Sequence, residues 1–448
     1  MREERESALA LYKSWQAAQW ITERLMHRDC EETLAIDGGV PAIQTPVPQR
    51  KRHGEAEKRY LNEVIDSDML FFFSGTKVRE LEKRFAALYQ KEHCLACSSG
   101  TAAVHLALAS LQMRPGTEVI VPAITDMGSL TGVLYQGLVP VFADVEPGTL
   151  NIDPRSVRAT ITPRTGALLV VHHSGLAADL DALFAVASES GIPVIEDCAQ
   201  AYGCEYHNEL VGRRGVMSCF SLNHFKHIST GSGGMILTDD DRLRYLASLY
   251  LDKCYQREEG VRNPYFLAPN YQLTELQGAV GLAQLEKLPD FLERRRRAAG
   301  RVASRLSAVR GIELQCVDAG SVHSYFLFLF KIDPQYFGCT SETFAAALRA
   351  EGVNAKANVI TGGRPVYLYD IFQKRQAFPD STYPFTSSDT GANRFYERGL
   401  CPVAESAFPC WINIEILENY TEQNGEEIGM AVDKVARHFA RCKTPYGT

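Results

Sequence analysis

Apolar positions follow two different rhythms along this chain. Between residues 8 and 29, Leu11, Trp15, Ala18, Ile21 and Leu25 recur at steps of three and four, the spacing of an amphipathic helix. Gly38-Gly39-Val40-Pro41 then breaks the chain, so residues 1–33 read as an N-terminal helical extension. Residues 54–65 and 76–90 are expected to be helices too. From residue 93 to about 240 the rhythm changes to short apolar runs: Val119–Val121, Val139–Asp144, Ala167–His172, Pro193–Asp197, Met217–Ser221 and Met235–Thr238. Each has the length of a strand and is bounded by Gly, Pro or Asp. Helical stretches separate several of them, notably 101–112 and 179–190. This alternation predicts an α/β fold with a mostly parallel sheet.

Residues 274–306 read as long helices. Beyond them, 310–440 mixes short strands and helices and predicts a smaller C-terminal α/β domain. The expected division is 1–33 for the extension, 34–300 for the large domain and 301–448 for the small one. Tyr325, Phe326, Phe328 and Phe330 are expected on one strand with a packed aromatic face.

Composition narrows the function classes. Hydrophobic residues make up 45% and charged residues 23%, ordinary for a globular chain. With 47 basic against 54 acidic residues the formal charge is −7, which argues against a nucleic-acid surface. The basic runs Arg50-Lys51-Arg52 and Arg294-Arg295-Arg296-Arg297 read as a solvated turn and a solvated helix face. Cys94 and Cys97 form a CxxC with no second pair to complete a zinc site, so no metal is expected. The cysteines read as structural thiols of a reducing compartment. No run of about 18 apolar residues predicts a membrane span. The start Met1-Arg2-Glu3-Glu4-Arg5-Glu6 lacks the pattern of a signal peptide. A cytoplasmic protein is expected.

Three stretches could carry chemistry. Ser98-Ser99-Gly100-Thr101-Ala102-Ala103 follows a strand and opens a helix, which suits a phosphate or an ordinary serine cap. Glu196-Asp197 ends a strand, where ligands of open α/β sheets bind; Asp197 could pair with a protonated heterocyclic nitrogen or cap the next helix. Ser221-Leu222-Asn223-His224-Phe225-Lys226 leads into the Gly231-Ser232-Gly233-Gly234 turn. Lys226 could form a Schiff base if its pKa is lowered, or lie exposed on a loop. His172 and His323 could touch substrate or sit hydrogen-bonded in the core. A phosphate cradle, a strand-end acid and a later lysine, in that order, are what pyridoxal 5′-phosphate (PLP) needs.

The chain resembles the DegT/StrS-type sugar aminotransferases, a family with the type I PLP-dependent transferase fold. The resemblance runs from Leu34-Ala35-Ile36-Asp37-Gly38-Gly39 to about Val435. Its matching stretches include Ser99–His105, Gly116–Pro122, Pro140–Val145, Val194–Gln200, Asn270–Gln277 and Cys401–Glu405. It implies that Lys226 is the Schiff-base lysine and that Asp197 pairs with the pyridine nitrogen. It sets Gln200 near the ring hydroxyl, Gly100 and Thr101 in the phosphate cradle, and Ser221 as a phosphate ligand. Asn270 matches a residue that reaches the neighbouring subunit's cofactor, which implies a homodimer with shared active sites. The implied activity moves an amino group from glutamate or glutamine to a keto-sugar or keto-cyclitol in natural-product, antibiotic or polysaccharide biosynthesis.

The sequence also departs from the family pattern. Thr125-Asp126-Met127 stands where an aromatic usually stacks on the ring, and Ser232 replaces a Glu between glycines. Gln272 replaces an Arg, and His173-Ser174-Gly175-Leu176 follows Val-His. Retention of Lys226, where dehydratase-type relatives carry His, favours transamination over deoxygenation. Another PLP reaction, such as elimination, cyclisation or oxidation, and a non-catalytic regulatory role are the alternatives.

Overall fold

The computed structural model describes residues 33–359, 362–387 and 392–441, so the helix expected at 8–29 lies outside the described residues. The large sheet has seven strands: β1 His93–Cys97, β2 Glu118–Pro122, β3 Val139–Ala143, β4 Thr165–Val171, β5 Val194–Asp197, β6 Met217–Ser221 and β7 Gly234–Thr238. Their spatial order is β1-β7-β6-β5-β4-β2-β3. Neighbours from β6 through β3 run parallel, while β7 lies antiparallel to both β1 and β6.

Two layers of helices explain why these strands read as continuous apolar runs. Every residue of β2, β3, β6 and β7 is buried, because both sheet faces are covered. Successive side chains serve opposite cores. Val119 and Val121 join one core and Ile120 the other; Ala167 and Leu169 likewise oppose Leu168 and Val170. The helices concerned are α1 Glu55–Asp66, α2 Lys77–Tyr89, α3 Gly100–Ser110, α4 Gly128–Tyr135, α5 Leu180–Ser190, α6 Asp241–Leu251 and α7 Glu275–Leu306. Helices α3, α4 and α6 pack on the first face, and α2, α5 and the first half of α7 on the second.

A second sheet, all antiparallel, is built from β8 Ile312–Leu314, β9 Phe328–Ile332, β10 Ala355–Lys356 and β11 Trp411–Ile414 in the order β8-β9-β11-β10. Helices α8 Ser341–Ala350 and α9 Glu422–Arg441 and the last turns of α7 cover it, and Leu34 packs into the same core. Helix α7 thus contributes residues to a core of each sheet. It is one helix of 32 residues, where the pattern predicted several.

Two expectations are corrected here. Tyr325 and Phe326 are not on the aromatic strand. Tyr325 has a left-handed backbone (φ 51°) and its amide donates to the His323 ring, 2.8 Å away. The chain therefore turns before β9 begins at Phe328. The basic runs are not solvated throughout either: Arg52 is 5% exposed and Arg295 0%. Each meets a buried carboxylate, Glu418, that comes from more than a hundred residues further on.

Candidate active site

Five chain turns meet beyond the C-terminal ends of the parallel strands, the usual ligand edge of such sheets. They follow β1, β2, β4, β5 and β6. After β1, Ser99 adopts an extended backbone and its hydroxyl accepts from the Ala102 amide, opening α3. A side chain at Gly100 would meet Ser221 Cβ at 2.6 Å and its Oγ at 2.9 Å. Gly100 and Ser221, separate in sequence, are therefore in close contact at a helix N-terminus. Thr101 lies next to them on the first turn of α3, half-buried, with its hydroxyl facing the backbone of Gly128. Free amides, a positive dipole end and a hydroxyl suit a phosphate.

Asp197 ends β5 and is 4% exposed. Ser129 Oγ donates to its Oδ2 at 2.7 Å, and the Ala199 amide donates to its Oδ1 at 3.0 Å. Thr125 Oγ1 lies 2.8 Å from the Ser129 hydroxyl, extending the chain of hydroxyls. Burial pushes the Asp197 carboxyl above its usual range, opposed by these two donors and by the Lys226 charge. A carboxylate in this state gains from a cationic N–H partner.

Lys226 follows β6 on a short loop, and its ammonium sits over the Phe326 ring, 4.4 Å from the centroid. Burial lowers its pKa, against the raising influence of Asp197 and Asp126. Lowered basicity is what a nucleophilic or proton-moving amine requires. Gln200 Oε1 accepts from the Ser174 amide at 2.8 Å, which ties the turn after β5 to the turn after β4. Gly175 (φ 92°) completes that turn, and a side chain there would collide with Ser324 Oγ at 2.5 Å.

Asn270 stands apart from this group. It is exposed, and among the described residues no hydrogen bond joins its side chain to Gly100, Thr101 or Ser221. Its neighbour Tyr271 does approach the cradle, its carbonyl accepting from Ser98 N at 2.7 Å. At the position of the usual aromatic, Asp126 is exposed and caps α4 by accepting from the Gly128 amide at 2.8 Å.

His172 and His323 belong to the core. His172 lies 3.0 Å from Glu196, both fully buried. Glu196 also accepts amides from Gly212, Arg214 and Gly215, so its lone pairs are filled. His172, Glu196 and Cys198 lie close enough to suggest a metal, yet His172 Nδ1 accepts from the Ala178 amide. That leaves Nε2–H to donate to the carboxylate. His323 is held by Gln315 and the Tyr325 amide. Ser129 and Phe326 were missed in the sequence. Ser129 lies in the Thr125–Ser129 stretch, 68 residues from Asp197, with no local signal that ties it to the acid, and Phe326 reads in the sequence as a strand residue.

Residues 51–422 match the DegT/DnrJ/EryC1/StrS aminotransferase family. The chain belongs to this family. It is a PLP-dependent aminotransferase. Its sequence is 32% identical over 357 residues to the spore coat polysaccharide biosynthesis protein SpsC of Bacillus subtilis (strain 168), covering 78% of this chain and 89% of that protein. The aminotransferase from Psychrobacter cryohalolentis superposes with a TM-score of 0.76 at 25% identity, over 88% of this chain and 99% of that one. A 3-amino-5-hydroxybenzoic acid synthase gives 0.75 at 27%, again over 88% and 99%. Among the described residues of this aminotransferase, no helix is long and apolar enough to cross a membrane.

The residues at the site fit PLP. The contact between Gly100 and Ser221 leaves no space for a side chain at position 100, while a helix N-terminus faces outward there. The donor set is complementary as well: an amine of lowered basicity for an aldehyde, and a buried acid for a ring N–H.

Proposed function

We propose that this aminotransferase moves an amino group from glutamate or glutamine to the ketone of a sugar or cyclitol, in polysaccharide or natural-product (antibiotic) biosynthesis. The observation that carries the reading is that Lys226, its ammonium 4.4 Å from the centre of the Phe326 ring, and the buried Asp197 both stand beyond the strand ends of one sheet. PLP, when bound, supplies an aldehyde for an amine and a ring that takes up the electrons of a carbanion. The chain does the rest. The α3 amides near Gly100 and Thr101, with the Ser221 hydroxyl, would hold the phosphate. Asp197 would hold a proton at the ring nitrogen, its Oδ2 oriented by the Ser129 hydroxyl. Gln200 would flank the ring hydroxyl. Lys226 Nζ would take a proton from the donor's Cα as general base and then return it as general acid.

The acceptor class is supported by SpsC, a polysaccharide biosynthesis protein. A homodimer is supported by exposure beside Asn270, where Leu267 is 96% and Tyr265 59% exposed; Asn270 would serve the cofactor of a second copy. Cytoplasmic placement is supported by the free thiols of Cys97, Cys198, Cys204 and Cys219 in the core.

The test is the near-visible absorption spectrum of the purified enzyme before and after glutamate or glutamine. The lysine-bound cofactor band should give way to the pyridoxamine form with release of keto acid. Lys226→Ala should lose the band and lower turnover by roughly 10³-fold or more. Retained turnover in that variant would sink the reading.

A further inference from the structure

Beneath the loop that carries Lys226 lies a buried cation with no part in the chemistry above. The Arg52 side chain is 4% exposed. Its Nη1 donates to the His224 carbonyl at 2.7 Å, and its Nη2 to the carbonyls of Lys226 at 2.7 Å and His227 at 2.6 Å. One planar group thus holds three main-chain oxygens around the lysine. Among the described residues no backbone amide serves these carbonyls, since the loop has left the sheet after Ser221. A guanidinium fixes direction as well as charge, because its donors form a rigid fork.

Arg52 is itself tied at both ends. Its carbonyl accepts from Gln284 and Lys287 of α7, each at 3.0 Å, and both also bind Glu57. Its Nε lies 3.2 Å from Glu418, just beyond β11 of the smaller domain. The same carboxylate pairs with Arg50 at 2.8 Å and with the fully buried Arg295 at 2.8 Å. His227 is fixed on its other side, with Nε2 3.1 Å from the Ser324 carbonyl.

We propose that Arg52 is a positioning residue for Lys226, and that Glu418 holds it in place. The pair sets the lysine loop in register with the smaller domain. The proposal rests on the reading of Lys226 as the cofactor lysine. Its physical basis is that a reacting group displaced by about 1 Å can lose on the order of 10²-fold in rate.

The experiment compares wild type with Arg52→Lys, Glu418→Asp and Arg50→Gln. Arg52→Lys keeps the charge that faces Glu418 but lacks the rigid fork that spans the three carbonyls. Arg50→Gln removes an ion pair from the same glutamate without touching the loop, so it reports the purely structural effect. Two quantities are read: the rate at which the near-visible band grows when PLP is added to cofactor-free protein, and amide exchange in peptides covering 222–231. Arg52→Lys and Glu418→Asp should slow band growth by about tenfold or more and speed exchange, while Arg50→Gln shifts only the unfolding midpoint. Band growth and exchange in Arg52→Lys equal to those of Arg50→Gln would overturn the proposal. If Arg52→Lys does not fold, Glu418→Asp decides by the same criteria. If wild type shows no band, or borohydride does not attach the cofactor at Lys226, the reading of Lys226 falls. The exchange comparison then still decides whether Arg52 clamps the loop.

Discussion

A single hydroxyl keeps the buried Asp197 supplied with a donor. Ser129→Ala should lower kcat/KM by about tenfold or more, the worth of one hydrogen bond to a charged group, without changing the unfolding midpoint by a comparable amount. Steady-state kinetics beside a urea titration checks this. Gly100 makes the opposite kind of prediction, because adding one methyl group there puts a carbon 2.6 Å from Ser221 Cβ. Gly100→Ala should weaken PLP binding by roughly tenfold or more, read by titrating cofactor into the cofactor-free protein. Lys226, Asp197, Gly100 and Ser221 were legible in the sequence because each lies in a local signature, at a strand end or a helix start. Ser129, Arg52 and Arg295 were not. Their partners lie 68, 172 to 175 and 123 residues away. No local pattern separates a buried arginine from a solvated one.

At the level of elements, runs of apolar residues mark six of the seven strands of the large sheet to within two residues, because strands covered on both faces are mostly apolar along their whole length. Helix α7 was less legible. Pro289 lies inside it, yet packing of its apolar face on the sheet keeps it continuous. Its first residue also does a task no pattern reveals. Glu275, 1% exposed, accepts the amides of Thr76 and Lys77 on one oxygen and of Val78 on the other. It thereby caps the start of α2 from another helix. Glu275→Ala leaves these amides without a partner and should cost about 3 kcal/mol of stability. Chemical denaturation measures the loss, and a change below about 1 kcal/mol would refute the capping role.

For the whole molecule, the long-range tie is electrostatic. Burial alone would raise the Glu418 carboxyl, but the Arg50 hydrogen bond and the charges of Arg295, Arg50 and Arg52 outweigh it and hold the group at about 2, below its usual 4.5. A depressed carboxylate contributes its stability above the unfolded value and loses it as pH falls. The unfolding midpoint should therefore be insensitive to Glu418 above about pH 4.5 and decline from there towards about pH 2. Glu418→Gln should be less stable at neutral pH and lack this part of the decline, as urea titrations across that range would show. The tie also bears on the order in which the protein becomes competent. Lys226 and every residue proposed to touch its cofactor precede residue 271, but the carboxylate that steadies Arg52 is made 192 residues after Lys226. A nascent chain that has passed residue 271 can hold every side chain proposed to touch the cofactor and still lack a lysine held in place, so truncations before Glu418 act as lesions of the Lys226 loop.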